Sequence, residues 1–304
     1  MAGAMFRAAP VRVRVPATAA NLGPGFDACG LALALYDDIV VQVTESGLDV
    51  QVAGEGADKV PSGERHLVVK AMRAAFKVLG GQPRGLALRC ANRVPQGRGL
   101  GSSAAAIVSG VVAARSLVVG GVDRLDDLAL LRLAVSMEGH PDNVAACLLG
   151  GFTVAWTEPG GVRAVSSRVP DGVVPVALVP TTAVSTAKAR RMLPESVPFA
   201  DAAHSAGRAA LLSVALTTRP DLLLPATDDR LHQQYRAEAM PRSAALVDRL
   251  RAAGLPAVIA GAGPTVLVLA SPGTAAKAVA AAPRGWEVHE LAIDSGGASI
   301  LPME

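Results

Sequence analysis

A glycine- and serine-rich loop leading into an apolar segment is the part of this sequence best suited to chemistry. It reads Pro95-Gln-Gly-Arg-Gly-Leu-Gly-Ser-Ser-Ala-Ala-Ala106, with glycines at positions 97, 99 and 101. Because glycine has no Cβ, the main chain there can approach a phosphate oxygen and adopt positive φ. Residues 104–119 lack proline and are rich in Ala and Val, which predicts a buried helix beginning near Ser102. The positive end of that helix would face an anion, so the loop predicts a polyphosphate site.

A purely structural turn and a Walker A loop are the alternatives to this interpretation. Gly and Ser routinely form tight turns, and a serine often caps a helix. The Walker A alternative is excluded, because no Lys follows the glycines and the chain has no G-x-x-x-x-G-K-[ST] run. Two adjacent serines at the predicted helix start, Ser102 and Ser103, favour a phosphate-binding role over a bare turn.

Four segments together resemble the GHMP kinases, and they stand in the order found in that family. The loop is similar to the family motif P-x-x-x-G-L-G-S-S-A. Val15-Pro-Ala-Thr-Ala-Ala-Asn-Leu-Gly-Pro-Gly-Phe-Asp27 precedes it, and Ala260-Gly-Ala-Gly-Pro-Thr-Val266 follows near the end. Between them, Glu138-Gly-His-Pro-Asp-Asn-Val144 and then Gly150-Gly151 resemble the homoserine kinase branch. The resemblance extends over nearly the whole chain.

The resemblance implies an ATP site with Mg²⁺ as the accompanying ion. The nucleotide-binding residues would be Pro95, Gln96, Gly97, Arg98, Gly99, Leu100, Gly101, Ser102, Ser103, Ala104 and Ala105. The metal ligands would be Ser103 and Glu138, which fits an ion that prefers hard oxygen ligands and retains several waters. A helix cap for Ser103 and a solvated helix end for Glu138 are the alternatives. His66 stands where relatives often have Asn before a helix, and no adenine contact is assigned.

The resemblance also implies residues for the acceptor substrate. Arg190, Arg236 and Thr186 would meet a carboxylate, which Arg holds best in a bidentate pair. Asn21, Asp27 and His140 would surround an amine and the rest of the substrate. Asp142 and Asn143 would be catalytic, with Asp142 as a base or with Asn143 reaching the substrate hydroxyl; a dissociative phosphoryl transfer permits both. Surface charges for the arginines and helix caps for Asp142 and Asn143 are the structural alternatives.

Apolar periodicity predicts the elements that must position these segments. Alternating or continuous apolar runs predict strands at 11–15, 38–43, 48–52, 86–90, 152–156, 162–169 and 174–179, and two short ones within 258–269. Helical spacing predicts helices at 65–79, 104–119, 125–137, 144–149, 201–217 and 242–253. This pattern indicates an α+β protein of two domains, which we divide into residues 1–156 and 157–304. The resemblance adds an N-terminal domain like ribosomal protein S5 domain 2, a ferredoxin-like C-terminal domain, and an active site in the cleft between them.

Composition limits the partners and the compartment. A chain of 304 residues can bury a large core, and a net charge of +3 without clustered arginines and aromatics predicts no nucleic-acid surface. Cys29, Cys90 and Cys147 are odd in number and lack a C-x-x-C pair, which indicates a reducing cytoplasm rather than a disulfide framework. No secretory signal or membrane segment is predicted. The oligomeric state is left open, with a homodimer as one option.

The activity implied by the resemblance is ATP-dependent phosphorylation of L-homoserine to O-phospho-L-homoserine, a step of threonine biosynthesis. Phosphorylation of another small alcohol, mevalonate or shikimate, is one alternative. A non-catalytic nucleotide-binding member of the fold is another. Two arginines in homoserine-kinase-like contexts argue against mevalonate, whose carboxylate requires no amine partner. The presence of both Ser103 and Glu138 argues against a non-catalytic protein.

Overall fold

The structure is a computed structural model that describes residues 3–303 and contains two β-sheets, each packed against helices. The elements in chain order are β1 (Val11–Ala20), β2 (Cys29–Thr44), β3 (Gly47–Gly54), α1 (Leu67–Leu79), β4 (Gly85–Asn92), α2 (Ser102–Leu117), α3 (Gly121–Arg124), α4 (Asp127–Glu138), α5 (Pro141–Leu149), β5 (Phe152–Glu158), β6 (Gly161–Ser167), β7 (Val174–Val179), α6 (Thr186–Arg191), α7 (Phe199–Thr217), α8 (Leu223–Ala226), α9 (Gln233–Arg236), α10 (Pro241–Ala252), β8 (Ala257–Ile259), β9 (Val266–Ala270), α11 (Ala275–Ala280), β10 (Glu287–Glu290) and β11 (Ser299–Leu301). No helix in this described part of the chain is long and apolar enough to cross a membrane.

The first sheet has seven strands and holds most of the N-terminal half. Its order is β11-β1-β2-β4-β3, and the β5–β6 hairpin pairs with the beginning of β2. Helix α2 carries apolar residues on nearly all of its faces, which is the pattern of a helix buried within the protein. Its Gly110 lies against α1, where a Cβ would come within 2.5 Å of the carbonyl oxygen of Val68. The bare backbone at Gly110 therefore allows the two helices to pack closely.

The second sheet has four antiparallel strands in the order β10-β7-β9-β8. The chain enters at β7, passes through helices α6 to α10, forms β8 and β9, and returns through α11 to β10. This is the β-α-β-β-α-β connection of ferredoxin-like domains. The predicted ferredoxin-like topology of the C-terminal half is therefore present.

The strands differ from the sequence predictions at several places, and β10 and β11 were not predicted at all. Strand β2 begins at Cys29 rather than at residue 38, and β1 continues from residue 15 to Ala20. The predicted division at 156/157 does not coincide with the sheets, because it falls inside β5. Strands β6 and β11 both lie beyond it in sequence but belong to the first sheet. The hairpin turn keeps β6 beside β5, and the C-terminal segment returns to pair with β1.

Candidate active site

One cleft of about 150 Å³ brings together residues that are far apart in the sequence. It lies where the glycine loop (residues 95–103), the start of α5 and the region of α6 and α9 meet. All eight residues predicted to bind the acceptor or act in catalysis line it, as do the two predicted metal ligands. The lining is Asn21, Asp27, Gly97, Gly99, Gly101, Ser102, Ser103, Glu138, His140, Asp142, Asn143, Val184, Thr186, Arg190, Arg236, Gly261, Ala262 and Gly263.

The glycine loop presents bare main chain to this cleft. Gly97, Gly99 and Gly101 have φ values of +66°, +85° and +72°, which L side chains rarely adopt. The first intrahelical bond of α2 runs from the N–H of Ala105 to the carbonyl of Gly101, at 2.9 Å. The N–H groups of residues 102–104 precede that ladder and are the ones a helix N-terminus offers to an anion.

The other residues predicted in the loop contribute no side chain to the cleft. Leu100, Ala104 and Ala105 are fully buried in the core, and Pro95 is buried as well. Gln96 lies at a neighbouring cavity. The side chain of Arg98 turns away and donates to the carbonyl of Thr181 at 3.1 Å. Any contact that these residues make with a nucleotide in the cleft would come from their main chain.

A hydroxyl and a carboxylate converge beside the loop. Ser103 Oγ donates to Glu138 Oε2 at 2.7 Å, which joins the start of α2 to the end of α4. Burial raises the pKa of Glu138, and the bond from Ser103 opposes that shift. Within residues 3–303 no three His, Cys, Asp or Glu side chains gather to hold a metal. The hydroxyl of Ser103 and the carboxylate of Glu138 are oxygen donors of the kind that a hard cation prefers.

The start of α5 places a carboxyl and an amide in the cleft. Asp142 is 3% exposed, and its Oδ1 accepts from the N–H of Asn143 at 2.7 Å. The pKa of Asp142 is raised to about 7, mainly by burial; the Asn143 N–H and Arg190 oppose this rise, whereas the charges of Asp27 and Glu138 add to it. The Asn143 amide has its Oδ1 bound by the hydroxyl of Thr18 at 2.7 Å. Asp142 is thus a carboxyl that can change protonation near neutral pH.

Charges of both signs line the opposite end of the cleft. Arg190 forms a bidentate pair with Asp27, with nitrogen–oxygen distances of 3.0 and 2.5 Å. Arg236 is 2% exposed, and its Nη1 donates to His232 Nδ1 at 3.2 Å and to the carbonyl of Gly261 at 3.5 Å. Its Nε has no hydrogen-bond partner among the described residues. A buried guanidinium with unused donors, facing a cleft, is suited to an anion.

Asn21 lines the cleft, but both ends of its side-chain amide are used by the protein. Its Nδ2 donates to the carbonyl of Gly261, and its Oδ1 accepts from the N–H of Asp27, each at 2.9 Å. Asn21, Leu22 and Asp27 have positive φ, an unusual conformation for non-glycine residues. Asn21 therefore holds this segment in shape and fixes Asp27 beneath Arg190.

His140 and Thr186 complete the predicted set. His140 is half-buried, and burial lowers its pKa, with the charges of Arg190 and Arg236 lowering it further and Asp27 opposing them. A neutral imidazole is therefore favoured there. Thr186 is exposed and opens helix α6, which carries Arg190 on its last turn.

Three residues of the site region were not predicted from the sequence. Phe26 packs against the guanidinium groups of both Arg190 and Arg236, whose carbons are 5.6 and 5.2 Å from the ring centroid. His232 is fully buried, and its Nε2 lies 2.8 Å from the carbonyl of Gly23. Because Arg236 can only donate to Nδ1, the hydrogen of His232 lies on Nε2. Thr18 is the third such residue. The alternating pattern that predicted the first strand ended at residue 15, so it gave no indication of a role for Thr18.

A second cavity of about 280 Å³ adjoins the glycine loop. It shares Gly97, Ser102 and Ser103 with the first cleft and extends to the start of α1. His66 lines it and is 4% exposed, and its Nδ1 has no partner among the described residues. Burial lowers the pKa of His66, which favours the neutral ring.

Comparison with known proteins places this chain within one family. Residues 66–151 match the family described as GHMP kinases N terminal domain, and residues 214–288 match GHMP kinases C terminal. A homoserine kinase of Streptomyces avermitilis is 63% identical over 303 residues, covering 100% of this chain and 99% of its own. One from Clavibacter michiganensis is 53% identical over 296 residues, covering 95% and 93%.

Solved structures agree with the sequence comparison. The crystal structure of a homoserine kinase from Cytophaga hutchinsonii has a TM-score of 0.85 at 25% identity, covering 99% of this chain and 100% of that one. The L. major mevalonate kinase, with a TM-score of 0.68 at 16% identity over 93% of this chain and 95% of its own, shows the shared fold alone.

Asp142 generates a prediction about stability. The pKa of this carboxyl is 3.8 in the unfolded chain and about 7 in the folded protein. Its contribution to the free energy of unfolding is therefore fully present below pH 3.8 and is lost as pH rises through 7. The ligand-free Asp142→Asn protein should therefore be more stable than the parent at pH 8, by roughly 2–4 kcal/mol, with a smaller gap at pH 5. Urea unfolding at both pH values measures this. Asp248→Asn, at an exposed position of α10, is the control and should change little. An Asp142→Asn protein less stable than the parent at pH 8 would contradict the burial argument.

Proposed function

The chain belongs to the homoserine kinases of the GHMP kinase family, and from that premise we propose that its cleft transfers the γ-phosphoryl group of ATP to the hydroxyl of L-homoserine. The product is O-phospho-L-homoserine, an intermediate of threonine biosynthesis. The observation that most directly supports this substrate is the pairing of Asp27 with Arg190 beside the buried Arg236. A zwitterionic amino acid carries the complementary pair of charges.

The phosphates of the donor are assigned to the main chain of the glycine loop. Positive φ at Gly97, Gly99 and Gly101 turns the loop, and Ser102 and Ser103, whose N–H groups precede the hydrogen-bond ladder of α2, line the cleft. The cavity beside the loop, with the unpaired Nδ1 of His66, has room for the nucleotide base. The nucleotide would then run from that cavity, past Ser102 and Ser103, into the acceptor cleft.

Ser103 and Glu138 are the residues that would hold Mg²⁺. Their 2.7 Å contact shows that a hydroxyl and a carboxylate oxygen can meet at one point beside the loop. A cation there would relieve the cost of burying the Glu138 carboxylate, which is what raises its pKa. When bound, the ion neutralises charge on the phosphates during transfer.

Arg190, Arg236 and Thr186 would bind the substrate carboxylate, and Asp27 with His140 would surround its ammonium. The Asp27–Arg190 pair lets each residue neutralise the other in the absence of substrate. A bound amino acid can then interpose its ammonium and carboxylate between them without leaving either side chain uncompensated. The side-chain oxygen of Asn21 accepts a hydrogen bond from the backbone N–H of Asp27 and so fixes Asp27 in place. We therefore assign Asn21 the role of shaping this end of the cleft.

Asp142 and Asn143 are assigned to the reacting hydroxyl. Asn143 donates from Nδ2 to the hydroxyl oxygen and aligns it with the γ-phosphorus. Asp142, whose pKa is raised to about 7 mainly by burial, accepts the hydroxyl proton. Since the transition state of phosphoryl transfer is mostly dissociative, alignment contributes more than proton removal. Both residues open the same helix, which keeps them in a fixed relation.

We place this activity in the cytoplasm. Cys29, Cys90 and Cys147 are all buried free thiols, as expected under reducing conditions. Burial raises the pKa of Cys29 and Cys90 to about 12 and also raises that of Cys147 well above its usual value, which keeps the thiols protonated and weakly reactive.

The assignment of the acceptor is tested by a substrate panel. ADP release with Mg-ATP should be fastest with L-homoserine, slower with amino alcohols of other length, and near background with mevalonate, shikimate or no acceptor. Removing the ammonium or the carboxylate removes a charge that the cleft is built to pair, so analogues lacking either should be poor substrates. The decisive measurement is kcat/KM for each compound. Faster turnover of mevalonate or shikimate than of homoserine would show that the acceptor is wrongly assigned.

The two arginines should control homoserine binding more than turnover. The substrate carboxylate keeps its charge as the phosphoryl group moves, so contacts to it act equally in the ground state and the transition state. Arg236→Ala should raise the KM for homoserine roughly ten- to hundredfold, from a loss of about 1.5–3 kcal/mol. Arg190→Ala should act similarly, and Arg→Lys should restore neither fully. The KM for ATP should change little.

The control is Arg191→Ala, because Arg191 is the exposed neighbour of Arg190 on the same helix and lies outside the cleft lining. It should keep the parent values for both substrates. A large fall in turnover with an unchanged dependence on homoserine in the Arg190 or Arg236 variants would place these arginines on the phosphates instead.

A further inference from the structure

Thr18 contacts both the glycine loop and the residue assigned to the acceptor hydroxyl. It is fully buried near the end of β1. Its N–H donates to the carbonyl of Leu100 at 3.1 Å, and its Oγ1 donates to Asn143 Oδ1 at 2.7 Å. A Cβ at Gly101 would collide with the Thr18 hydroxyl. One small side chain therefore fills the space between the glycine loop and helix α5.

The hydroxyl of Thr18 has a different kind of hydrogen-bond partner from the hydroxyls of two other buried threonines, Thr153 and Thr227. Thr153 and Thr227 are as deeply buried, and their hydroxyls donate to main-chain carbonyls, of Gly30 at 3.4 Å and of Leu223 at 2.8 Å. Within residues 3–303, the side-chain hydroxyl of Thr18 makes its one hydrogen bond to an amide 125 positions away. The hydrogen bond that satisfies the Thr18 hydroxyl therefore also restrains the side chain of Asn143.

That bond holds the Asn143 amide in place, and the neighbouring Asp142 sets which end of the amide faces Thr18. With Oδ1 held by Thr18, the amide nitrogen lies on the side of Asp142, whose Oδ1 is 3.4 Å away. The flipped amide would set its oxygen against the Asp142 oxygen, where two acceptors face each other. Asp142 thus selects the orientation and the Thr18 hydroxyl restrains the amide in it, with the N–H₂ group available to a ligand oxygen.

We propose that Thr18 is a positioning residue for phosphoryl transfer, which holds the Asn143 amide with its N–H₂ group directed at the acceptor hydroxyl and in register with the glycine loop. The proposal rests on the proposed function of Asn143. It adds a residue that touches neither substrate and acts through Asn143. Alignment of the acceptor oxygen with the phosphorus is the quantity it controls, so its effect belongs to kcat.

The test compares three variants in the Mg-ATP and homoserine assay. Thr18→Val keeps the shape and removes the hydroxyl, and kcat should fall roughly three- to tenfold, as expected for one hydrogen bond. Both KM values should stay within about twofold of the parent. Thr18→Ser keeps the hydroxyl and should restore kcat. Thr153→Val, which removes the hydroxyl of an equally buried threonine in the same sheet, should leave kcat unchanged.

A double-mutant cycle with Asn143→Ala shows whether Thr18 acts through that residue. Once the amide is absent, adding Thr18→Val should cause no further loss of turnover. Losses that multiply would overturn the proposal, as would a Thr18→Ser protein as slow as Thr18→Val. If Thr18→Val does not fold, the Ser variant still decides, since a fall in its kcat contradicts a role for the hydroxyl. Parent-level turnover in Asn143→Ala would overturn both this proposal and the assigned role of Asn143, whereas a slow Asn143→Ala beside a fast Thr18→Val overturns this proposal alone.

Discussion

The active-site cleft depends on how closely other segments approach the main chain of the glycine loop. At Gly99 a Cβ would collide with the carbonyl of Ala260, and at Gly101 it would collide with Thr18. The loop also accepts a hydrogen bond from the N–H of Thr265 at the carbonyl of Arg98, at 3.2 Å. Strand β1 of the first sheet and the β8–β9 connection of the second thus both lie against one stretch of bare backbone. The same absence of side chains leaves its N–H groups accessible to phosphate.

Electrostatic balance is the second constraint on the site. Asp27, Asp142 and Glu138 bring negative charge into a small cleft, and Arg190 and Arg236 supply the positive charge. Burying these groups is costly unless they are paired. The Asp27–Arg190 pair and the ring of Phe26 near both guanidinium groups reduce that cost, and the raised pKa values of Asp142 and Glu138 favour their neutral forms. A ligand that carries one positive and one negative charge can bind there while each charged side chain keeps an oppositely charged partner.

Much of this arrangement could be predicted from the sequence, because the signals are local. The glycine loop, the start of α2 at Ser102 and the Glu138 and Asp142 turn each lie within a short run of residues. The beginning of β2 was missed because residues 29–33 are buried throughout and show no polar alternation. Thr18 and the Asp27–Arg190 pair depend on contacts across 125 and 163 positions, which no local pattern encodes.

The central claim is that the cleft holds a zwitterionic amino acid with its hydroxyl aligned on the γ-phosphate. A crystal structure with Mg²⁺, a non-hydrolysable ATP analogue and L-homoserine tests it most directly. Our account predicts the carboxylate within hydrogen-bond distance of Arg236 or Arg190, the ammonium at Asp27, and the hydroxyl oxygen at Asn143 Nδ2, facing the γ-phosphorus along the transfer direction. Homoserine bound with its carboxylate toward the glycine loop, or with its hydroxyl directed away from Asn143, would contradict it.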